Sequence, residues 1–130
     1  MTLLDRGRQQ AQSLSSDPEA QAELYETLGT LYENLGKFDQ ADSMLNSALA
    51  NRESLFGHDS PQAAETLVAL AMLRDDQARL IESEKTIREA LAIERRHLAP
   101  NHPAIARATT VLGKVLEDRG YLRCGDSDSQ

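Results

Sequence analysis

An all-α chain, folded as a superhelical stack of antiparallel helix pairs, is the architecture this sequence specifies. The first ground is composition: apolar residues make up 40% of 130 positions but aromatics only 4%, and Leu and Ala dominate the rest. Those two residues lose little freedom in a helix, whereas β-branched Val and Ile, scarce here, lose more. The second ground is an internal repeat. Leu28-Gly29 recurs as Leu70-Ala71 and as Leu112-Gly113, at two successive offsets of 42 residues. Leu31, Leu73 and Val115 share this register, as do Gly36, Ala78 and Gly120, and Phe38, Leu80 and Leu122. The third ground is spacing, because within each unit the apolar residues recur every three or four positions, the period of a helix buried on one side.

Each element follows from local residues. Residues 1–16 hold a helix, over about 2–14, that covers the open apolar face of the first hairpin. The first repeat spans 17–60. Asp17-Pro18-Glu19 opens its first helix, with proline pre-set for a first helical position. Ala22, Tyr25, Leu28, Tyr32 and Leu35 form that helix's apolar stripe, and Gly36 ends it in a left-handed residue. Phe38, Ala41, Leu45, Ala48 and Leu49 form the stripe of the second helix. Ser60-Pro61 opens the second repeat, 61–102, where Leu70, Leu73, Ile87, Ala90 and Leu91 repeat the pattern. Its turn carries Ala78 where the first has Gly36. A left-handed alanine costs about 1 kcal/mol, so a different turn geometry is expected there. His102-Pro103 opens a third first-helix, 103–122, with Ile105, Ala108, Leu112, Val115 and Leu116 on its apolar side. Gly29, Ala71 and Gly113 are small enough to admit a close partner helix. Residues 123–130 are polar and aperiodic, the composition of a disordered tail.

Tyr25, Leu28-Gly29, Tyr32, Gly36, Ala41, Leu45 and Ala48 together resemble the signature of the tetratricopeptide repeat. The 42-residue spacing and long second helix are similar to the kinesin light chain type, and the resemblance runs from Pro18 to Leu122. It departs at Arg74, which stands where the family has Tyr, and at Ala71 and Ala78, which replace glycines. The stretch from Leu3 to Gly7, with Asp17 to Leu24, also resembles the opening of repeat regions downstream of bacterial serine/threonine kinase domains. No kinase motif is present in the sequence. The resemblance implies a right-handed helical solenoid that acts as a non-catalytic interaction module.

The residues themselves point away from several chemistries. Fourteen Lys and Arg against 21 Asp and Glu leave a net charge of −7, a poor balance for gripping phosphates, so nucleic acid is not an expected partner. No apolar run is long enough for a membrane span, and a cytoplasmic protein is expected. The single cysteine, Cys124, rules out an internal disulfide and a thiolate cage. His58 and His102 fall in inter-repeat loops and His97 at a helix end, without the spacing of a metal site. No nucleophile elbow or phosphate loop occurs, so no enzyme, metal or cofactor is expected.

The resemblance implies that first helices line the inner surface, where family members receive a partner's peptide or helix. Carried over residue by residue, the inner positions are Glu23, Glu26, Thr30, Glu33 and Asn34 in the first repeat. In the second they are Glu65, Val68, Met72, Asp75 and Asp76, and in the third Arg107, Thr110 and Lys114, followed by Glu117 and Asp118. Glu26 and Thr30 stand where some members place the Lys and Asn that clamp a C-terminal carboxylate, so an acidic tail would be repelled. The expected partner is a protein or peptide with basic residues and an apolar anchor on Met72. The plainer alternative is that these carboxylates only keep the surface hydrated. A second functional reading is self-association, a homodimer, since the third first-helix has no partner helix in the repeat pattern.

Overall fold

The computed structural model describes residues 3–120, and expectations for Leu122, Cys124 and the tail lie outside them. Within that range the chain forms six helices: α1 (Leu3–Gln12), α2 (Pro18–Asn34), α3 (Phe38–Phe56), α4 (Pro61–Asp76), α5 (Leu80–His97) and α6 (Pro103–Asp118). No strand occurs among the described residues. Helices α2 and α3 form one hairpin and α4 and α5 the next, while α1 packs on α2 and α6 on both α4 and α5. The first helices α2, α4 and α6 also touch in succession, which makes them one continuous wall.

Side chains set the helix starts. Asp17 accepts from Ala20 N at 3.2 Å, Ser60 Oγ from Ala63 N at 3.2 Å, and His102 Nδ1 from Ala104 N at 3.0 Å. Each satisfies an N–H that has no intrahelical partner, and proline follows at the first turn in all three. The turns inside the hairpins are alike. Gly36 (φ 76°) and Ala78 (φ 62°) are both left-handed, and Gly120 (φ 86°) repeats the conformation after α6. Lys37 N donates to Tyr32 O at 2.9 Å, and Arg79 N to Arg74 O at 2.8 Å, the same wide closing bond. The expected change of geometry at Ala78 therefore does not occur. The hairpin packing on both sides holds the alanine in a conformation that its Cβ disfavours.

Helix α4 is the centre of the core. Ten of its residues are buried, from Ala63 to Asp75, so it is enclosed on nearly every side rather than along one stripe. The close-approach positions differ in outcome. A Cβ on Gly29 would lie 2.7 Å from Leu45 Cγ, so α3 has moved into the space that glycine leaves. At Ala71 the neighbouring helix comes near enough for the buried Ser83 Oγ to donate to Ala71 O at 2.6 Å. At Gly113 nothing lies within 4 Å, because no second helix follows α6 among the described residues. Close packing was expected at all three positions and is met at two.

The amino-terminal end is covered. Ala11 is fully buried, and Gly7 lies against Leu28, where an added Cβ would come within 2.9 Å of Leu28 Cδ2. Gln21 Nε2 donates to Ala11 O at 2.9 Å, and Asn51 Nδ2 donates to Gln21 Oε1 at 2.8 Å and to Pro18 O at 3.1 Å. Three helices are thereby tied at one corner.

Candidate functional site

The wall of α2, α4 and α6 holds three hollows, and the residues expected to line the groove fall mostly into them. The first, about 470 Å³, lies between α2 and α4 and takes in Glu23, Glu26, Thr30 and Glu65. The second, about 380 Å³, lies between α4 and α6 and takes in Glu65, Val68 and Arg107. The third, about 200 Å³, lies further along the same two helices and takes in Met72, Asp75, Asp76, Thr110 and Lys114. Glu33 pairs with Asp76 across α2 and α4. Asn34 is exposed at the end of α2 and lines none of the three. Val68 is only 2% exposed, so it offers a wall rather than an open contact, whereas Met72 is 39% exposed.

Formal charge overstates how acidic the groove is. Glu26 accepts from Arg52 Nη1 at 2.6 Å and from Thr66 Oγ1 at 3.1 Å, and Arg52 Nη1 also donates to Thr66 Oγ1 at 3.0 Å. Burial pushes the Glu26 carboxyl above the usual range, and the Arg52 guanidinium pulls it back. Glu33 is pushed up to about 8 by burial and by Asp76, so the pair keeps a proton near neutrality. Lys114 bridges Asp75 and Asp118, and these two carboxylates hold its ammonium charged well above the ordinary lysine range. Burial raises Asp75, against the pull of Lys114. The hydroxyls of Thr30 and Thr110 donate back to Glu26 O and Ala106 O of their own helices, at 3.2 and 3.0 Å. Of the carboxylates that line the hollows, Glu23, Glu65 and Asp76 are exposed, and Glu65 lies 3.8 Å from Arg52.

Two residues of the site were not found by following first helices. Arg52 on α3 and Glu94 on α5 are both buried, occupy the same register 42 positions apart, and reach the groove from behind. The signal was present in the apolar stripes. Ala41, Leu45 and Ala48 lead by steps of three and four to Arg52, and Ser83, Ile87 and Ala90 lead likewise to Glu94. A charge that continues a buried stripe is a buried charge.

This arrangement suits recognition by shape and charge. Among the described residues no group of three or more His, Cys, Asp or Glu is placed to hold a metal ion. No helix there is long and apolar enough to cross a membrane. His58 lies away from the groove and joins the α3 end to α5, through Glu53 on Nδ1 and Glu89 on Nε2, the latter at 2.5 Å.

Comparison with known proteins adds three findings. The family model described as tetratricopeptide repeat matches residues 20–93. Among solved structures, BtubC (BKLC) from P. vanneervenii is similar with a TM-score of 0.75 at 19% identity, over 88% of this chain and 47% of that one. The chain thus spans about half the length of BtubC, and the likeness is one of fold. No curated protein matches.

Proposed function

Since the chain belongs to the tetratricopeptide repeat family, whose repeats generally serve as protein–protein interaction modules, we propose that it binds a peptide or helix of a partner protein along the wall of α2, α4 and α6. The observation that carries this reading is the row of three hollows between successive first helices, opened by Glu23 and Glu65 and by the exposed Met72. A segment with Lys or Arg at intervals and one apolar anchor complements that row. The exposed carboxylates Glu23, Glu65 and Asp76 accelerate encounter with a basic segment and are screened by salt, so affinity falls as ionic strength rises.

The test uses a fluorescein-labelled helical peptide of alternating Lys, Leu and Ala, titrated against the wild type and against E23K/D76K. Both residues are exposed, so reversing them spares the core. Reversal of Glu26 or Asp75 would instead break partly buried ion pairs. The double variant is expected to bind about tenfold more weakly, a difference of about 1.4 kcal/mol. Unchanged affinity would place recognition elsewhere.

A second reading, self-association, is supported by α6. Thr109 and Ala106 are exposed and Leu112 is half-buried around the empty space beside Gly113. Those positions match Leu67, Ala64 and Leu70, which are buried in α4. Light scattering over a range of concentrations tests it, and a strict monomer at the highest concentration overturns it.

A further inference from the structure

The two junctions between first helices are built on the same plan with opposite charge. At the α2–α4 junction the second-helix residue is a cation. Arg52 Nη1 meets Glu26 Oε1 at 2.6 Å, Thr66 Oγ1 at 3.0 Å and Glu65 Oε2 at 3.8 Å. At the α4–α6 junction the same position is a carboxylate, Glu94, and the places of Glu26 and Glu65 are taken by Val68 and Arg107. Glu94 is 2% exposed, and its Oε1 is buried without a hydrogen-bond partner. Arg107 acts on it only as a nearby charge. A buried carboxylate that its own neighbours do not satisfy is destabilising, and this one opens on a hollow of about 380 Å³.

We propose that the hollow between α4 and α6 is a receptor for one cationic side chain of a bound polypeptide, an Arg or a Lys, whose terminal N–H groups donate to the Glu94 carboxylate as it turns toward the hollow. This rests on the groove reading above and names the residue type that anchors there. Size permits it: the hollow is several times larger than the roughly 30 Å³ that one liquid water occupies, so a side chain and residual water both fit. Charge favours it: Glu65 already lies 3.8 Å from Arg52, whereas Glu94 has no ion pair of its own and feels Arg107 only as a nearby charge. Shape favours it as well. Pro61, Val68 and Leu98 form walls along which a methylene stem packs while its head reaches the carboxylate. At the junction one repeat earlier the chain supplies both halves of a buried ion pair itself, Arg52 and Glu26, whereas here it supplies the carboxylate. Burial and Glu65 push Glu94 above the usual carboxylate range while Arg107 opposes them, so occupation by a cation strengthens as pH rises and Glu94 ionises.

The probe is N-acetyl-arginine amide, with N-acetyl-citrulline amide as its neutral isostere, both titrated against the labelled protein by NMR. Chemical shifts are expected to move at Val68, Glu94 and Arg107 with the arginine compound, and citrulline is expected to bind about tenfold more weakly. E94Q keeps the size of the side chain and is expected to weaken the arginine compound by about the same factor. The variant should melt no lower than the wild type, which separates lost binding from lost fold. E19K, exposed in the first turn of α2 and outside the three hollows, leaves the arginine compound unaffected. Equal binding of citrulline, an unaltered E94Q, or shifts confined elsewhere would each overturn the receptor. A hollow that takes up neither compound holds water only, and that too overturns it. If the arginine compound behaves as expected while E23K/D76K binds the basic peptide as the wild type does, the receptor stands and the groove-wide reading fails.

Discussion

Replacing Arg52 with Met preserves bulk and removes one charge, which isolates what the buried pair does. Glu26 would then lie part-buried against Thr66 and Glu65 with only the weaker pull of Arg107, and R52M is expected to lose about 3 kcal/mol in urea unfolding. The glycines give a sharper contrast, because equal chemistry meets unequal space. G29A forces a Cβ to 2.7 Å from Leu45 and is expected to cost about 1–3 kcal/mol. G113A meets no atom within 4 Å and is expected to raise stability by about 0.5–1 kcal/mol, the helix preference of Ala over Gly. A78G should add up to about 1 kcal/mol by relieving the left-handed alanine. Thermal melts of G29A and G113A, read together, test whether 42-residue register alone governs these two positions. A common response would say that it does; opposite signs at 29 and 113 would say that the neighbour decides.

Helices are held to one another by groups that titrate, and the signs can be worked out. Glu33 has a folded pKa of about 8, above its ordinary 4.5, so the stability it gives the α2–α4 seam is full below that lower value. It is lost as pH rises through about 8. His58 is raised above 6.5 by Glu53 and Glu89, so its tie between α3 and α5 is likewise present below 6.5 and lost as pH rises through the folded value. Both make the protein firmer in mildly acidic than in mildly alkaline buffer. E33Q and H58Q should each flatten part of the dependence of melting temperature on pH, and a slope unchanged in both would sink the assignment. Much at this scale was legible beforehand. Asp17-Pro18, Ser60-Pro61 and His102-Pro103 start helices where capping chemistry says they should. Pairings across 42 residues or more, such as Glu33 with Asp76, were not, since rotamers and burial decide whether two carboxylates meet. Arg52 and Glu94 escaped for a related reason: a first-helix template looks past the helices behind it.

For the molecule as a whole, stacking confines contact to neighbours, so stability is shared along one dimension. The middle helix should therefore exchange its amide hydrogens most slowly. Native-state exchange is expected to protect α4, with its ten buried residues, above α1, which buries only Ala11. Uniform protection across all six helices would contradict the picture. One consequence of Arg52 appears only at this scale, and it is mechanical. From α3 that side chain grips α2 through Glu26 and α4 through Thr66, so the first joint of the stack is riveted. The second joint has a clasp at one end, Lys114 on Asp75, and at the other the buried Glu94 carboxylate, whose Oε1 has no hydrogen-bond partner. The two joints are therefore braced by different chemistry, and a cation seated at Glu94 would give the second the buried ion pair that the first already holds, so that each step of the stack would be pinned from its second helix.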